Sequence, residues 1–116
     1  MLVVGRTVRS LTYFASGLAS ESQVRRGKHC ALIFDKRYQV VACYVNDERA
    51  HAEQGAIEML PHGLSDLTLL VVRAIHSTGE LGMSRPCHAC RAAIDRTPAI
   101  VRCLYTKGCG EYGELC

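Results

Sequence analysis

Two short stretches of the 116-residue chain hold residue types that together can do metal chemistry: His51-Ala52-Glu53 and Pro86-Cys87-His88-Ala89-Cys90. Each falls where the surrounding pattern predicts a helix starting just after a loop. Cys87 and Cys90 stand at i and i+3, so they project from one side of a helix's first turn. The unpaired amides and positive dipole end there favour thiolates, and we expect both cysteines to deprotonate near neutral pH. Two thiolates and the His51 imidazole make three zinc ligands, and a fourth position left open to water is the catalytic arrangement. Zinc lowers the pKa of a bound water from about 15.7 to about 7. Glu53, two residues after His51, is spaced to take that water's proton.

Other readings of the same residues stay open at this point. A closed zinc site would recruit His88, Cys103 or Cys109 as a fourth ligand, and would leave Glu53 without a purpose. Cys-x-x-Cys at a helix start also fits a thioredoxin-like redox pair, which leaves the His-x-Glu unexplained. Haem attachment is excluded, because Arg91 rather than His follows Cys90.

The elements that must position these residues can be read from spacing and breakers. Val8, Leu11, Ala15 and Leu18 repeat at helical intervals, which predicts an amphipathic helix over about 6–20. Residues 21–28 read as a basic loop. Cys30–Phe34 and Tyr38–Val45 are strand-like runs joined by a short polar break, as in a hairpin. A helix follows from Ala50 to Leu60, stopped by Pro61 and Gly63. The unbroken apolar run Leu67–Ile75 predicts a strand buried on both faces. Residues 76–86 read as a loop, Cys87–Arg96 as a helix, and Ile100–Tyr105 as a strand. Lys107–Gly110 then reads as a turn into a final antiparallel strand. The alternation describes a mixed sheet of about five strands with helices on its faces.

Composition sets bounds on all of this. The length fits one domain spanning 1–116, and 48% apolar residues suffice for an ordinary core. No apolar run reaches the roughly 18 residues of a bilayer-spanning helix, which excludes a helical membrane protein. Seven cysteines, an odd count, with no secretory leader, read as reduced thiols or metal ligands in a cytoplasmic protein. Cys30, Cys43 and Cys103 fall in strand patterns and read as small core residues. The formal charge is +3, with the basic excess in the first third. That could attract phosphate, although a solvated basic face explains it more simply.

Taken together, the His-x-Glu, the Pro-Cys-x-x-Cys and the strand between their helices resemble the cytidine deaminase-like superfamily of zinc-dependent deaminases. The resemblance covers essentially the whole chain and implies a three-layer α-β-α fold. It implies one Zn2+ per chain on His51, Cys87 and Cys90, with Glu53 as proton shuttle. It also implies substrate contacts from Asn46, Ala52 and the Ser84-Arg85-Pro86 loop. The expected reaction is hydrolytic conversion of a cytosine-type base to the uracil form, with release of ammonia. The substrate would be a nucleoside, a nucleotide or a related small molecule. The final hairpin resembles the free-nucleoside branch, although no Asn-x-Glu ribose motif occurs over 29–45 and Asn46 is the only asparagine. A polynucleotide deaminase and a non-catalytic zinc-binding member of the fold are the alternative expectations. By the same resemblance the partners are a small-molecule substrate and further copies of the chain, as a dimer or tetramer. Nucleic acid is not favoured and no membrane is involved.

Overall fold

The structure, a computed structural model, describes residues 2–3, 5–22, 27–74, 81–108 and 111–115. After a short strand, β1 (Leu2–Val3), comes helix α1 (Val8–Ser20). Thr7 caps α1 through a capping box with Ser10, satisfying amides that the first turn leaves unpaired. Strands β2 (Lys28–Phe34) and β3 (Gln39–Val45) form the expected hairpin. Its turn is held by Asp35, whose Oδ1 accepts from the Arg37 and Gln39 amides. Tyr38 sits in that turn at φ 61, so β3 begins one residue later than the sequence pattern suggests.

Helix α2 (Ala52–Glu58), strand β4 (Leu67–Ala74), short strand β5 (Leu81–Gly82) and helix α3 (His88–Asp95) follow. The chain continues through β6 (Ile100–Gly108) and β7 (Glu111–Leu115). Five long strands and two two-residue strands make one mixed sheet, in the order β1-β3-β2-β4-β6-β7, with β5 pairing β4. The β4–β6 pair is parallel, and the other strand pairs are antiparallel. The final strand is antiparallel to β6, as expected from the turn signal at Lys107–Gly110.

Two differences from the sequence reading are informative. Residues 81–82, assigned to a loop, pair with Arg73 and Ala74. The strand signal there is only Leu81-Gly82, too short to register as a period. Likewise β1 is recruited by the open edge of β3, opposite Gln39 and Val40, rather than by a pattern of its own. Arg25, Arg26, Ile75, His76, Cys109 and Cys116, each singled out by type or pattern, lie outside the described residues.

The sheet separates two cores. On one face Leu11, Ala15 and Ala19 of α1 pack on Cys30, Leu32, Leu70 and Val72. On the other, Ala52 and Ala56 of α2 and Ile94 of α3 pack on Ala31, Ile33, Leu69 and Val71. Strand β4 contributes buried residues to both, which is the reason its apolar run is continuous. This is a three-layer α/β arrangement. Cys30 and Cys103 are buried core residues and Cys43 is half-buried against the α1 core, as their strand positions imply. No helix among the described residues is long and apolar enough to cross a membrane.

Helix α2 lies close to β3 because Gly55 has no side chain. A Cβ at that position would stand 2.2 Å from the Tyr44 ring. We therefore expect Gly55→Ala to cost about 1–3 kcal/mol as Tyr44 is displaced. Denaturant unfolding checks this, and the double variant Gly55→Ala with Tyr44→Ala should recover part of the loss.

Candidate metal centre

The two motifs meet at the starts of α2 and α3. His51 is the residue before the first turn of α2, and Cys87 holds the same place on α3. A residue there ordinarily turns its side chain back onto the helix's own amides. Neither does so here, and both side chains face the space between the helices. His51 Nδ1 lies 3.2 Å from Cys90 Sγ and 3.5 Å from Cys87 Sγ. All three donor atoms fall within 4.8 Å of one another, close enough to hold a metal ion. Among the described residues no fourth His, Cys, Asp or Glu joins this group. His88 is exposed, and Cys103 is buried in β6.

Burial differs sharply across the group. His51 and Cys87 are exposed, whereas Cys90 is fully buried. Glu53 is 5% exposed. Burial, and then the neighbouring Glu53 charge, push the Cys90 thiol well above its ordinary range. The expectation that both thiols ionise at a helix start is therefore corrected for Cys90. In a site without a cation, desolvation and a nearby carboxylate outweigh the helix's partial charge. Burial first, and then the Glu53 and Glu114 charges, push Cys103 up to about 12.

An open cavity of about 380 Å³ adjoins the three donors, within the roughly 300–1,000 Å³ range of small-molecule sites. His29, Asn46, His51, Ala52, Glu53 and Cys87 are among its walls. Glu53 thus stands both beside the donors and on the cavity surface. Asn46 and Ala52, which the resemblance implies as substrate contacts, line the cavity, and the Asn46 amide also does structural work. Its Oδ1 accepts from the His29 amide at 2.9 Å and the Ser22 hydroxyl at 3.0 Å, and its Nδ2 donates to the Gly27 carbonyl at 2.7 Å. The next residue, Asp47, accepts from the Arg49 and Ala50 amides and the Tyr44 hydroxyl. Those bonds, the Tyr44 one foremost, hold its carboxyl below the usual range. This loop fixes where α2 begins.

Ser84, Arg85 and Pro86 are not among the cavity walls. Arg85 is exposed and Pro86 buried. Ser84 is 2% exposed, and its hydroxyl donates to the Val71 carbonyl and accepts from the Thr106 amide, each at 2.7 Å. The Ser84 amide donates to the Thr106 carbonyl at 2.8 Å. Ser84 thus bolts the segment leading to Cys87 onto β4 and β6. His29, with Gly27 and Asp47, is a cavity residue that the sequence motifs do not single out. Counting back by twos from Ile33 and Ala31 puts His29 on the α2 side of β2, and that alternation was the available signal.

Compared with known proteins, the chain matches no family model and no curated protein.

Replacing Ser84 strands the Val71 carbonyl and the Thr106 amide in the interior. Ser84→Ala should cost about 1–3 kcal/mol and should weaken metal retention by freeing the Cys87 segment. Thermal unfolding and metal content after dialysis check both effects.

Proposed function

We propose that the chain is a zinc-dependent hydrolytic deaminase of the cytidine deaminase-like type. Its substrate is a cytosine-type base carried by a nucleoside, a nucleotide or a related small molecule. The observation that carries this reading is the convergence of His51, Cys87 and Cys90 at one corner of a nucleoside-sized cavity, with Glu53 on the same wall.

The donor set favours zinc. Two thiols and an imidazole suit a borderline-soft ion, whereas calcium and magnesium require oxygen ligands. With ligand bonds of about 2.0–2.3 Å in a tetrahedron, the S···N separation is about 3.6 Å. The observed 3.2 and 3.5 Å are near that span. A cation there also relieves the penalty on ionising buried Cys90 beside Glu53. When bound with three protein ligands, zinc supplies an acidified water at neutral pH.

The chain's own residues perform the remaining tasks. Glu53 is nearly buried, so a proton it accepts is not shared freely with solvent. Its carboxylate takes one proton of the attacking water and gives it to the ring nitrogen, then carries the second, from the new hydroxyl, to the departing amine. One C–O bond forms, one C–N bond breaks, and ammonia leaves. Ala52 contributes wall without bulk, so a flat base can approach the donors. Asn46 holds the Gly27–His29 segment, and with it one side of the cavity. We also place the protein in a reducing compartment, the setting in which Cys87 and Cys90 remain available as ligands.

Protein prepared without chelators should contain one zinc per chain by elemental analysis. Glu53→Gln should keep that zinc and lose about 10²–10⁴-fold in turnover, read by absorbance over bases, nucleosides and nucleotides. Unchanged turnover in that variant removes Glu53 from the reaction. Zinc must also displace the Cys90 proton, because that thiol is raised. Affinity should therefore rise with pH, by roughly tenfold per unit for each proton released, as competition with a chromogenic chelator would show.

A further inference from the structure

The cavity wall has two parts. One comes from the start of β2 and the loop after β3, with His29, Asn46 and Asp47, and the other from the starts of α2 and α3, with His51, Glu53 and Cys87. In the deaminase reading the base and its amine sit at the second part, beside the metal ligands and the proton shuttle. The group that the base is attached to then faces the first.

Polar atoms of the first part are mostly engaged within the chain. Asn46 accepts from the His29 amide and the Ser22 hydroxyl and donates to the Gly27 carbonyl. Asp47 accepts from two backbone amides and the Tyr44 hydroxyl. The His29 ring is different. Its Nδ1 stands 2.5 Å from the Gly27 carbonyl oxygen. A carbonyl only accepts, so Nδ1 carries a hydrogen and donates it. Burial, foremost, holds the ring below its ordinary range, against the opposing Gly27 bond and Glu53 charge, so it is neutral at pH 7. In a neutral ring protonated on Nδ1, Nε2 is an acceptor. The ring also lies close over Gly27, where a Cβ would stand 3.2 Å from its Cε1. Among the described residues Nε2 has no hydrogen-bond partner, yet it is not sealed from solvent.

We propose that His29 Nε2 is a specificity-determining acceptor of the site, and that it takes a hydrogen bond from a hydroxyl of the sugar attached to the base. The identity of the base rests on the deaminase reading, while the acceptor itself rests on the Gly27 carbonyl and the open Nε2. Such an atom discriminates by what it lacks. It pairs with an O–H, and it meets an ether oxygen or an ionised phosphate oxygen as acceptor against acceptor. The Gly27 bond fixes that choice before the substrate arrives.

Steady-state kinetics and ring-nitrogen NMR of the zinc-loaded protein test it. The substrates are cytidine and its 2′-, 3′- and 5′-deoxy analogues. Loss of the hydroxyl that meets Nε2 should lower kcat/KM about tenfold. His29→Phe should lower kcat/KM for cytidine by a similar factor and erase the difference between the two substrates, with zinc content unchanged. His29→Gln, which can offer an amide oxygen, should restore part of it. In 15N-histidine-labelled protein at pH 7, the His29 signals should show a protonated Nδ1 and a bare Nε2. No penalty for any missing hydroxyl overturns the proposal, as does a penalty that survives in His29→Phe. A proton on Nε2 also overturns it, and each of these three results leaves the deaminase reading standing if cytidine is turned over. Absence of turnover and of calorimetric binding for all four nucleosides overturns the deaminase reading and the sugar donor together, whatever the ring-nitrogen signals show.

Discussion

The site depends on an electrostatic conflict that the fold creates and that a bound cation would resolve. Cys90 is fully buried, Glu53 is nearly so, and the charge of one raises the cost of ionising the other. Burial and the Glu53 charge together disfavour the Cys90 thiolate. The cost falls when a positive ion sits among the thiols and the His51 imidazole. The corner of the molecule where α2 and α3 begin thus brings together three donors that could hold a metal ion.

Sheet order brings that corner into being. Strand β2 lies between β3 and β4, so the helix entered from β3 and the helix entered from β4 and β5 share one face. Their first turns bring His51, Cys87 and Cys90 together. The hydrophobic contacts beneath them are small: Ala52 and Ala56 on α2, Ile94 on α3, over Ala31, Ile33, Leu69 and Val71. Small residues let the helices sit low on the sheet, and Gly55 under the Tyr44 ring brings α2 lower still.

Polar residues around the donors divide into those that hold the frame and those left facing the cavity. Ser84 and Thr106 pin the segment before Cys87 to the central strands, and Asp47 pins the turn before His51. Asn46 does both, since its amide organises the Gly27–His29 segment while it lines the cavity. Such internal bonding leaves Glu53 and His29 facing the space where a substrate would sit. Among the described residues, Arg73 Nε is a buried side-chain nitrogen without a hydrogen-bond partner.

The amino-acid sequence by itself determined the donor set and the order of the main elements. Metal chemistry needs particular side chains at short spacing, so His51, Glu53, Cys87 and Cys90 are legible without a structure. Strand β4 is legible for a similar reason, because burial on both faces demands apolar residues at every position. Tertiary structure alone decided the rest. It set which thiol is buried, and so reversed the expected ionisation of Cys90. It gave Ser84 a clamping role between β4 and β6, and brought His29 to the cavity beside the metal corner. Those properties depend on which strands lie side by side and in what register. A residue's neighbours across a sheet are set by distant parts of the chain, and no local pattern records them.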